Sequence, residues 1–208
     1  MVIAGKETSR SPMQDSRLKA AGFMSLFNAV LTLPMLITAL VALSKESAGL
    51  WYFIMMPMSA ISCVLTIYVF LQLKRLLIER YDIYNLNSII AAMIFCSIII
   101  NVKNFLTAIF MVIFHNPGFV QLLDSIMGIP CFMLGGIIGI IFGVRLLGIN
   151  DESSGLLRAY AILSIIASTC LVSVILILIA FFLSMVNNVI LGILLLKGAE
   201  TEPQVEFV

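Results

Sequence analysis

Charged residues are scarce in this sequence. Lys, Arg, Asp and Glu make up 11% of its 208 residues, whereas a soluble domain contains about 25%. The twelve basic and eleven acidic residues nearly cancel, which leaves a net charge of +1, and the basic residues form no stripe. Because binding to nucleic acid depends on clustered positive charge, the sequence predicts no nucleic-acid partner.

The side chains that build catalytic and metal sites are also few. The chain has one histidine and four cysteines, which lie far apart in separate apolar runs without C-x-x-C spacing: Cys63, Cys96, Cys131 and Cys170. No nucleophile lies near a base in the sequence, and the longest polar segment, residues 1–19, is too short to hold a nucleotide. We therefore expect no catalytic residues, no metal site and no cofactor, and the protein is not expected to be an enzyme.

Apolar residues, in contrast, are abundant. They make up 62% of the chain, and the mean hydropathy is +1.15. A soluble protein averages about 45–50% apolar residues, because it must also cover its surface with polar groups. The sequence therefore predicts an all-α integral membrane protein, with the lipid bilayer as its surroundings.

The apolar runs divide the chain into about six transmembrane helices. A helix needs about 20 residues to cross the hydrocarbon core. A polar N-terminal tail (residues 1–19) and an acidic C-terminal tail (198–208) flank a helical bundle (20–197), in which we expect spans at about 21–43, 50–73, 87–114, 122–147, 156–178 and 180–197.

The last apolar run sets the number of spans. Residues 156–196 would form a single helix of ~60 Å, about twice the hydrocarbon thickness. Two short helices joined by a tight turn near residues 180–182 fit the bilayer better. Six spans are therefore predicted, and five spans are the alternative.

The positions of the basic residues predict the orientation. If the N-terminus is cytoplasmic, ten of the twelve basic residues lie on the cytoplasmic side, as the positive-inside rule expects: Lys6, Arg10, Arg17, Lys19, Lys74, Arg75, Arg80, Arg145, Arg158 and Lys197. Short loops and the absence of a targeting signal favour the bacterial cytoplasmic (inner) membrane.

Three apolar helices end in a similar way, which suggests an internal repeat. CVLTIYVFLQLKRLL, LGGIIGIIFGVRLLG and VNNVILGILLLKG each finish with a basic residue, Lys74, Arg145 and Lys197 respectively. The chain is consistent with three repeated helical hairpins or with a duplicated four-helix unit and a terminal pair. General similarity among Leu- and Ile-rich helices is the alternative explanation.

A glycine edge runs along the fourth span. Gly135, Gly139 and Gly143 recur every four residues, as in a glycine zipper, and Cys131 extends the stripe by one turn. Small residues let helix backbones approach closely in a membrane, and Ala92 and Cys96 form a matching stripe on the third span. Two interpretations follow, packing within one chain and self-association through this face.

One charged residue lies inside a span. Lys103 stands between Asn101 and Asn104, and Asp124 is the nearest acid in the next segment. If the third span continues to residue 114, Lys103 lies ~16 Å below its end, and a buried Lys103–Asp124 pair is conceivable. If the span instead ends at Lys103, this side chain is an ordinary interfacial anchor.

Three further asparagines lie within the spans: Asn28, Asn187 and Asn188. We expect them to hydrogen-bond between helices and so to hold the bundle together.

These features leave two functional hypotheses. The first is a multi-pass membrane protein that acts through helix–helix association, as an accessory or assembly subunit or as a homo-oligomer. Its partners would be other membrane subunits or a second copy of the chain. The second is a small channel or transporter with a path near Lys103. The first rests on the glycine edge and the second on Lys103, because ionisable residues inside spans commonly mark solute pathways.

Overall fold

The chain folds into helices throughout its described length. The computed structural model describes residues 12–42, 48–81, 83–113, 117–149, 155–173 and 176–200. These residues contain seven α-helices and one π-helical segment and no strand: α1 (Pro12–Ala42), α2 (Ala48–Tyr81), α3 (Asn87–Val112), α4 (Pro117–Leu123), the π segment (Asp124–Gly128), α5 (Ile129–Leu147), α6 (Gly155–Val172) and α7 (Ile177–Glu200).

Six of the described helices are long and apolar enough to cross a membrane. Their apolar stretches are Asp15–Ile37, Ile54–Tyr81, Asn87–Phe110, Ser125–Leu147, Gly155–Val172 and Leu178–Ala199. The prediction of an all-α membrane bundle with six spans is confirmed. The predicted tails were residues 1–19 and 198–208. Residues 12–19 belong to α1 and residues 198–200 to α7, and the remaining residues of both tails lie outside the described residues.

The break in the last apolar run lies earlier than the sequence predicts. α6 ends at Val172 and α7 begins at Ile177, whereas the turn was expected near residues 180–182. Ser173 explains the position. Its hydroxyl donates a hydrogen bond to the Cys170 carbonyl (2.8 Å) and accepts one from the Leu176 amide (3.4 Å). It therefore satisfies backbone groups at the end of α6 and just before the start of α7.

The π segment lies directly before a proline. Pro130 is in the first turn of α5, and it has no amide hydrogen to donate to the carbonyl of Ile126, four residues earlier. The preceding turn, Asp124–Gly128, widens to π-helical geometry. Such wide turns are common where an α-helical hydrogen bond is lost, and they are frequent at functional sites.

The membrane-length helices form a ring. In the described residues, each packs on its neighbours in chain order, and α7 closes the ring by packing on α1. The α5–α6 and α1–α7 contacts are the most extensive, and the α3–α5 contact is the smallest between neighbouring spans. α4 and the π segment lie against α3.

The apolar core fills one end of this ring, which we call the basic end. There α1, α3 and α6 begin, and α2, α5 and α7 end. Buried residues from all six helices meet in this core, among them Leu18, Leu73, Leu86, Phe142, Tyr160 and Leu195. The ring of Tyr160 packs edge-on against Phe142, with the centroids 6.2 Å apart. The basic end also carries Lys74, Arg145 and Lys197, the residues that the repeat hypothesis compares.

Candidate functional site

Lys103 is buried within α3. Its side chain is 8% exposed, and the helix continues to Val112, about 14 Å further along the axis. α3 is thus continuous past Lys103, and the two sequence interpretations of this residue, a buried site and an interfacial anchor, stay predictions. In the structure this lysine is covered by protein instead of lying at a helix end.

The predicted partner of Lys103 can be placed in part. Asp124 begins the π segment, which packs against α3 together with α4. The Asp124 side chain lies outside the described side chains, so the Lys103–Asp124 pair stays a prediction.

The two asparagines beside Lys103 bind α2. Ser59 donates its hydroxyl hydrogen to Oδ1 of Asn101 (2.6 Å), and Nδ2 of Asn104 donates to the Ser59 oxygen (3.3 Å). Nδ2 of Asn101 donates to the Ser97 carbonyl of its own helix (2.9 Å). Ser59 is buried. One serine therefore joins both neighbours of Lys103 to the facing helix.

A second set of hydrogen bonds joins α2 to α1. Ser62 donates to Oδ1 of Asn28 (2.7 Å), and Nδ2 of Asn28 donates to the Thr66 hydroxyl (3.2 Å). Asn28 is buried, and the predicted interhelical bonding of this residue is confirmed by the two bonds. We use the name polar belt for the six residues of both sets: Asn28, Ser59, Ser62, Thr66, Asn101 and Asn104.

Thr107 lies one turn beyond Lys103 on the same face of α3. Its side chain is 3% exposed, and its hydroxyl has no hydrogen-bond partner among the described residues. A buried polar group left in this state costs about 1–3 kcal/mol. Thr107 therefore adds a hydroxyl with free hydrogen-bonding capacity beside Lys103.

Sequence reasoning named the three asparagines of the polar belt and missed its three hydroxyl residues on α2. It treated Asn28 as an interhelical contact and did not connect it to Lys103. A signal was present, because Ser59, Ser62 and Thr66 recur at positions i, i+3 and i+7 of α2. That spacing places three hydroxyls on one face of a helix.

The glycine edge of α5 packs against α6 of the same chain. A Cβ atom added to Gly143 would lie 2.6 Å from Cγ1 of Ile165, and one added to Gly136 would lie 2.5 Å from Cγ2 of Val172. At Gly139 an added Cβ would overlap the Ser168 hydroxyl. α5 and α6 can therefore come this close only because glycine carries a hydrogen atom where other residues carry a side chain.

Gly135 lies off this contact, contrary to the sequence expectation. A Cβ added there would meet no atom within 4 Å, and Gly136 takes its place against α6. Successive residues point about 100° apart around a helix, so only one of these two adjacent glycines can face α6. Ala92, Cys96 and Cys131, the other predicted packing residues, are half-buried.

A further glycine contact, which the sequence analysis did not identify, closes the ring. A Cβ on Gly22 of α1 would lie 3.0 Å from the carbonyl oxygen of Gly192 in α7, and a Cβ on Gly192 would lie 3.0 Å from that of Gly22. Close by, Ser25 donates its hydroxyl to the Asn188 carbonyl (2.8 Å). The signal in the sequence was the stripe of small residues Ala21, Ser25 and Ala29, all buried.

α6 and α7 are also joined by a polar contact. Nδ2 of Asn187 donates to the Ser164 hydroxyl (2.9 Å), while Oδ1 of Asn187 has no partner among the described residues. The interhelical role predicted for Asn187 is thus confirmed by one bond, and Asn188 contributes through its backbone carbonyl.

Across the described ranges, no three His, Cys, Asp or Glu residues form a group that could hold a metal ion. The polar belt, Lys103 and Thr107 therefore make up the candidate site, a patch of hydrogen-bonding groups and one ammonium on α1, α2 and α3.

Comparison with known proteins adds no relative, since the chain matches no protein-family model, no curated protein and no solved structure.

Proposed function

We propose that the protein is a small membrane channel or transporter whose solute path passes Lys103 and the polar belt. The observation that carries this proposal is the burial of Lys103 inside a membrane-length helix. A charged side chain at such a position costs about 2.5–3.5 kcal/mol on insertion scales. An apolar residue would fill the same space without that cost, so the retained ammonium favours a role in binding or passing a solute.

The groups around Lys103 support the same proposal. Asn101, Asn104 and Ser59 place amide and hydroxyl groups beside it, and Thr107 adds a buried hydroxyl without a described partner. Polar groups of these types can replace the hydration shell of a solute. The π segment packs against α3, and π-helical turns inside helices are frequent at functional sites.

An accessory role through helix–helix association is the second candidate. Its sequence support was the glycine edge, but Gly139 and Gly143 are buried against α6, and Gly135 is the one glycine of this edge that is left open. The many exposed apolar residues of the ring, such as Phe23, Phe95 and Phe182, are equally suited to lipid. The ring is closed by the chain's own first and last membrane helices, which favours a self-contained unit.

The proposal also covers the orientation of the protein in its membrane and the common origin of its helical hairpins. We place the basic end in the cytoplasm of a bacterium, because exposed or half-exposed basic residues concentrate there, including Arg17, Lys74 and Arg158. Lys74, Arg145 and Lys197 all lie toward that end of α2, α5 and α7, where three related hairpins would place them.

A flux assay tests the proposal. The full-length protein is reconstituted into liposomes, and the fluxes of K⁺, Na⁺, H⁺, Cl⁻ and small radiolabelled carboxylates and amines are compared with protein-free liposomes. We expect at least one flux to rise above the protein-free rate. Lys103→Gln should reduce it about tenfold, equivalent to ~1.4 kcal/mol, whereas Lys103→Arg should retain more of it.

Lys19→Gln is the matched control, since Lys19 is exposed at the basic end and its loss removes the same charge. Melting temperatures of the three variants show whether each one folds. Fluxes equal to protein-free liposomes for every solute, with folded protein, contradict the proposal. An active protein in which Lys103→Gln and Lys19→Gln behave alike contradicts the assignment to Lys103. Stoichiometric co-purification of a second membrane protein, without flux, would favour the accessory role.

A further inference from the structure

An open cleft lies at the basic end of the ring, between the α2–α3 connection and the end of α5. It has a volume of about 740 Å³. The connection between α2 and α3 forms one wall with Tyr81, Ile83 and Leu86, and the end of α5 forms the other with Arg145 and Ile149.

Arg145 is positioned at this cleft by the opposite wall. Its Nη1 donates to the carbonyl oxygen of Asn85 (3.2 Å). A guanidinium carries five N–H donors in a planar fork, and this bond uses one of them. The side chain is exposed. The bond therefore ties the guanidinium to the opposite wall of the cleft, and the exposed side chain keeps its other donors accessible from the solvent.

A second guanidinium lies near the same wall. Arg80 stacks over the ring of Tyr81, with its Cζ atom 5.8 Å from the centroid. In the sequence, the carboxyl-bearing residue Asp82 follows Tyr81. The remaining described lining includes the apolar side chains of Ile83, Leu86 and Ile149. The cleft thus combines one lining guanidinium, that of Arg145, with apolar walls, and Arg80 lies near one of them.

The position of the cleft along the helix axes indicates what kind of ligand it binds. Arg145 is in the last turn of α5, and Tyr84, on the connection that forms one wall, is 60% exposed. Tyrosine and arginine at helix ends mark the boundary between hydrocarbon and water. Basic pockets between membrane helices on the cytoplasmic side bind the head groups of anionic lipids.

We propose that this cleft binds the phosphate of a phospholipid from the leaflet at the basic end. The Arg145 guanidinium donates charge-assisted hydrogen bonds to two phosphate oxygens, a geometry that suits its planar fork. Ile83 and Ile149 contact the glycerol and the first methylenes of the acyl chains. The apolar walls distinguish a lipid from a free phosphate, which has nothing to place against them.

The proposal is tested by titrating the purified full-length protein in detergent and counting bound lipids by native mass spectrometry. The probes are dioleoylphosphatidylglycerol and dioleoylglycerol, which share their acyl chains and differ in the phosphate-bearing head group. We expect the phospholipid to bind about tenfold more tightly, a difference of ~1.4 kcal/mol. Arg145→Gln should lower its affinity by a similar factor, and Arg145→Lys by less.

Arg158→Gln is the matched control, because Arg158 is also exposed at the basic end. It should change the affinity by less than about twofold, as expected of a screened remote charge. Asp82→Asn should change the affinity in the opposite direction to Arg145→Gln, which separates an effect of charge from loss of folding. Melting temperatures are recorded for every variant.

Three results would overturn the proposal. Equal affinities for the two probes would show that the phosphate is not recognised. Equal losses in Arg145→Gln and Arg158→Gln would show that the attraction is spread over the basic end. Displacement of the bound phospholipid by inorganic phosphate at millimolar concentration would assign the cleft to a soluble anion. None of these results depends on a measured flux, so the test is independent of the proposed transport function.

Discussion

On one side of the ring, α5 meets α6 through three glycines, whereas on the other side α1, α2 and α3 meet through hydrogen-bonded side chains. The glycine contact brings two backbones together and involves few polar side chains. The polar belt keeps amides and hydroxyls inside a membrane bundle. Such bonds contribute only about 0.6 kcal/mol each in measured membrane proteins.

Under the proposed function, this difference separates a structural side of the molecule from a functional side. The α5–α6 side has the features of a fixed support. The α1–α3 side retains polar groups that packing alone does not require, and it contains the buried lysine. Substitutions on the two sides should therefore differ both in size and in kind.

The largest effect is expected at the glycine contact. Gly139→Leu would force a side chain into Ser168 and should lower the free energy of unfolding by about 3 kcal/mol, at the upper end of the usual range for overpacking. Gly135→Leu is the matched control, since a Cβ there meets no atom within 4 Å, and its effect should stay within about 0.5 kcal/mol. Denaturation in mixed detergent micelles measures both. Equal stabilities would contradict the described packing of α5 on α6.

A smaller effect is expected in the polar belt. Asn28→Ala removes two bonds between α1 and α2, so the free energy of unfolding should fall by about 1 kcal/mol, taking ~0.6 kcal/mol for each bond. Thr32→Val serves as the comparison, because the Thr32 hydroxyl donates within its own helix to the Asn28 carbonyl. The same denaturation assay applies. A loss in Asn28→Ala as large as that in Gly139→Leu would remove the distinction between the two sides.

The smallest effect should have the opposite sign. Thr107→Val replaces a buried hydroxyl that has no described partner with a methyl group of similar size. Removing an unsatisfied polar group should raise the free energy of unfolding by at most about 1 kcal/mol, the lower end of the cost of such a group. If the hydroxyl serves a solute, the flux measured in liposomes should fall in the same variant. A stabilised variant with unchanged flux would make Thr107 a packing residue.

The helices were largely predictable because each apolar residue in a run adds to the hydropathy that marks a membrane span. Runs of apolar residues set the six spans, and the predicted start of α3 at Asn87 and end of α5 at Leu147 agree with the structure. The turn between α6 and α7 was placed too late, because its position depends on the hydroxyl of one residue, Ser173, within an apolar run. A hydropathy pattern does not register a single hydrogen-bonded turn.

The site was predictable only in part, because it depends on which helix faces which. The sequence singled out Lys103, Asn101 and Asn104 by their polarity alone. It could not show that Ser59 of α2 lies opposite both asparagines. In the same way, it could not decide between Gly135 and Gly136, since the choice follows from the direction in which α6 approaches.

The crossing of Gly22 and Gly192 has a consequence for assembly during synthesis. α1 leaves the ribosome first among these helices and α7 last, and the two meet backbone to backbone. The buried stripe of Ala21, Gly22 and Ser25 therefore faces lipid until α7 is inserted. A nascent chain remains an open arc of helices during translation, and truncation before Gly192 leaves that arc without its closing contact.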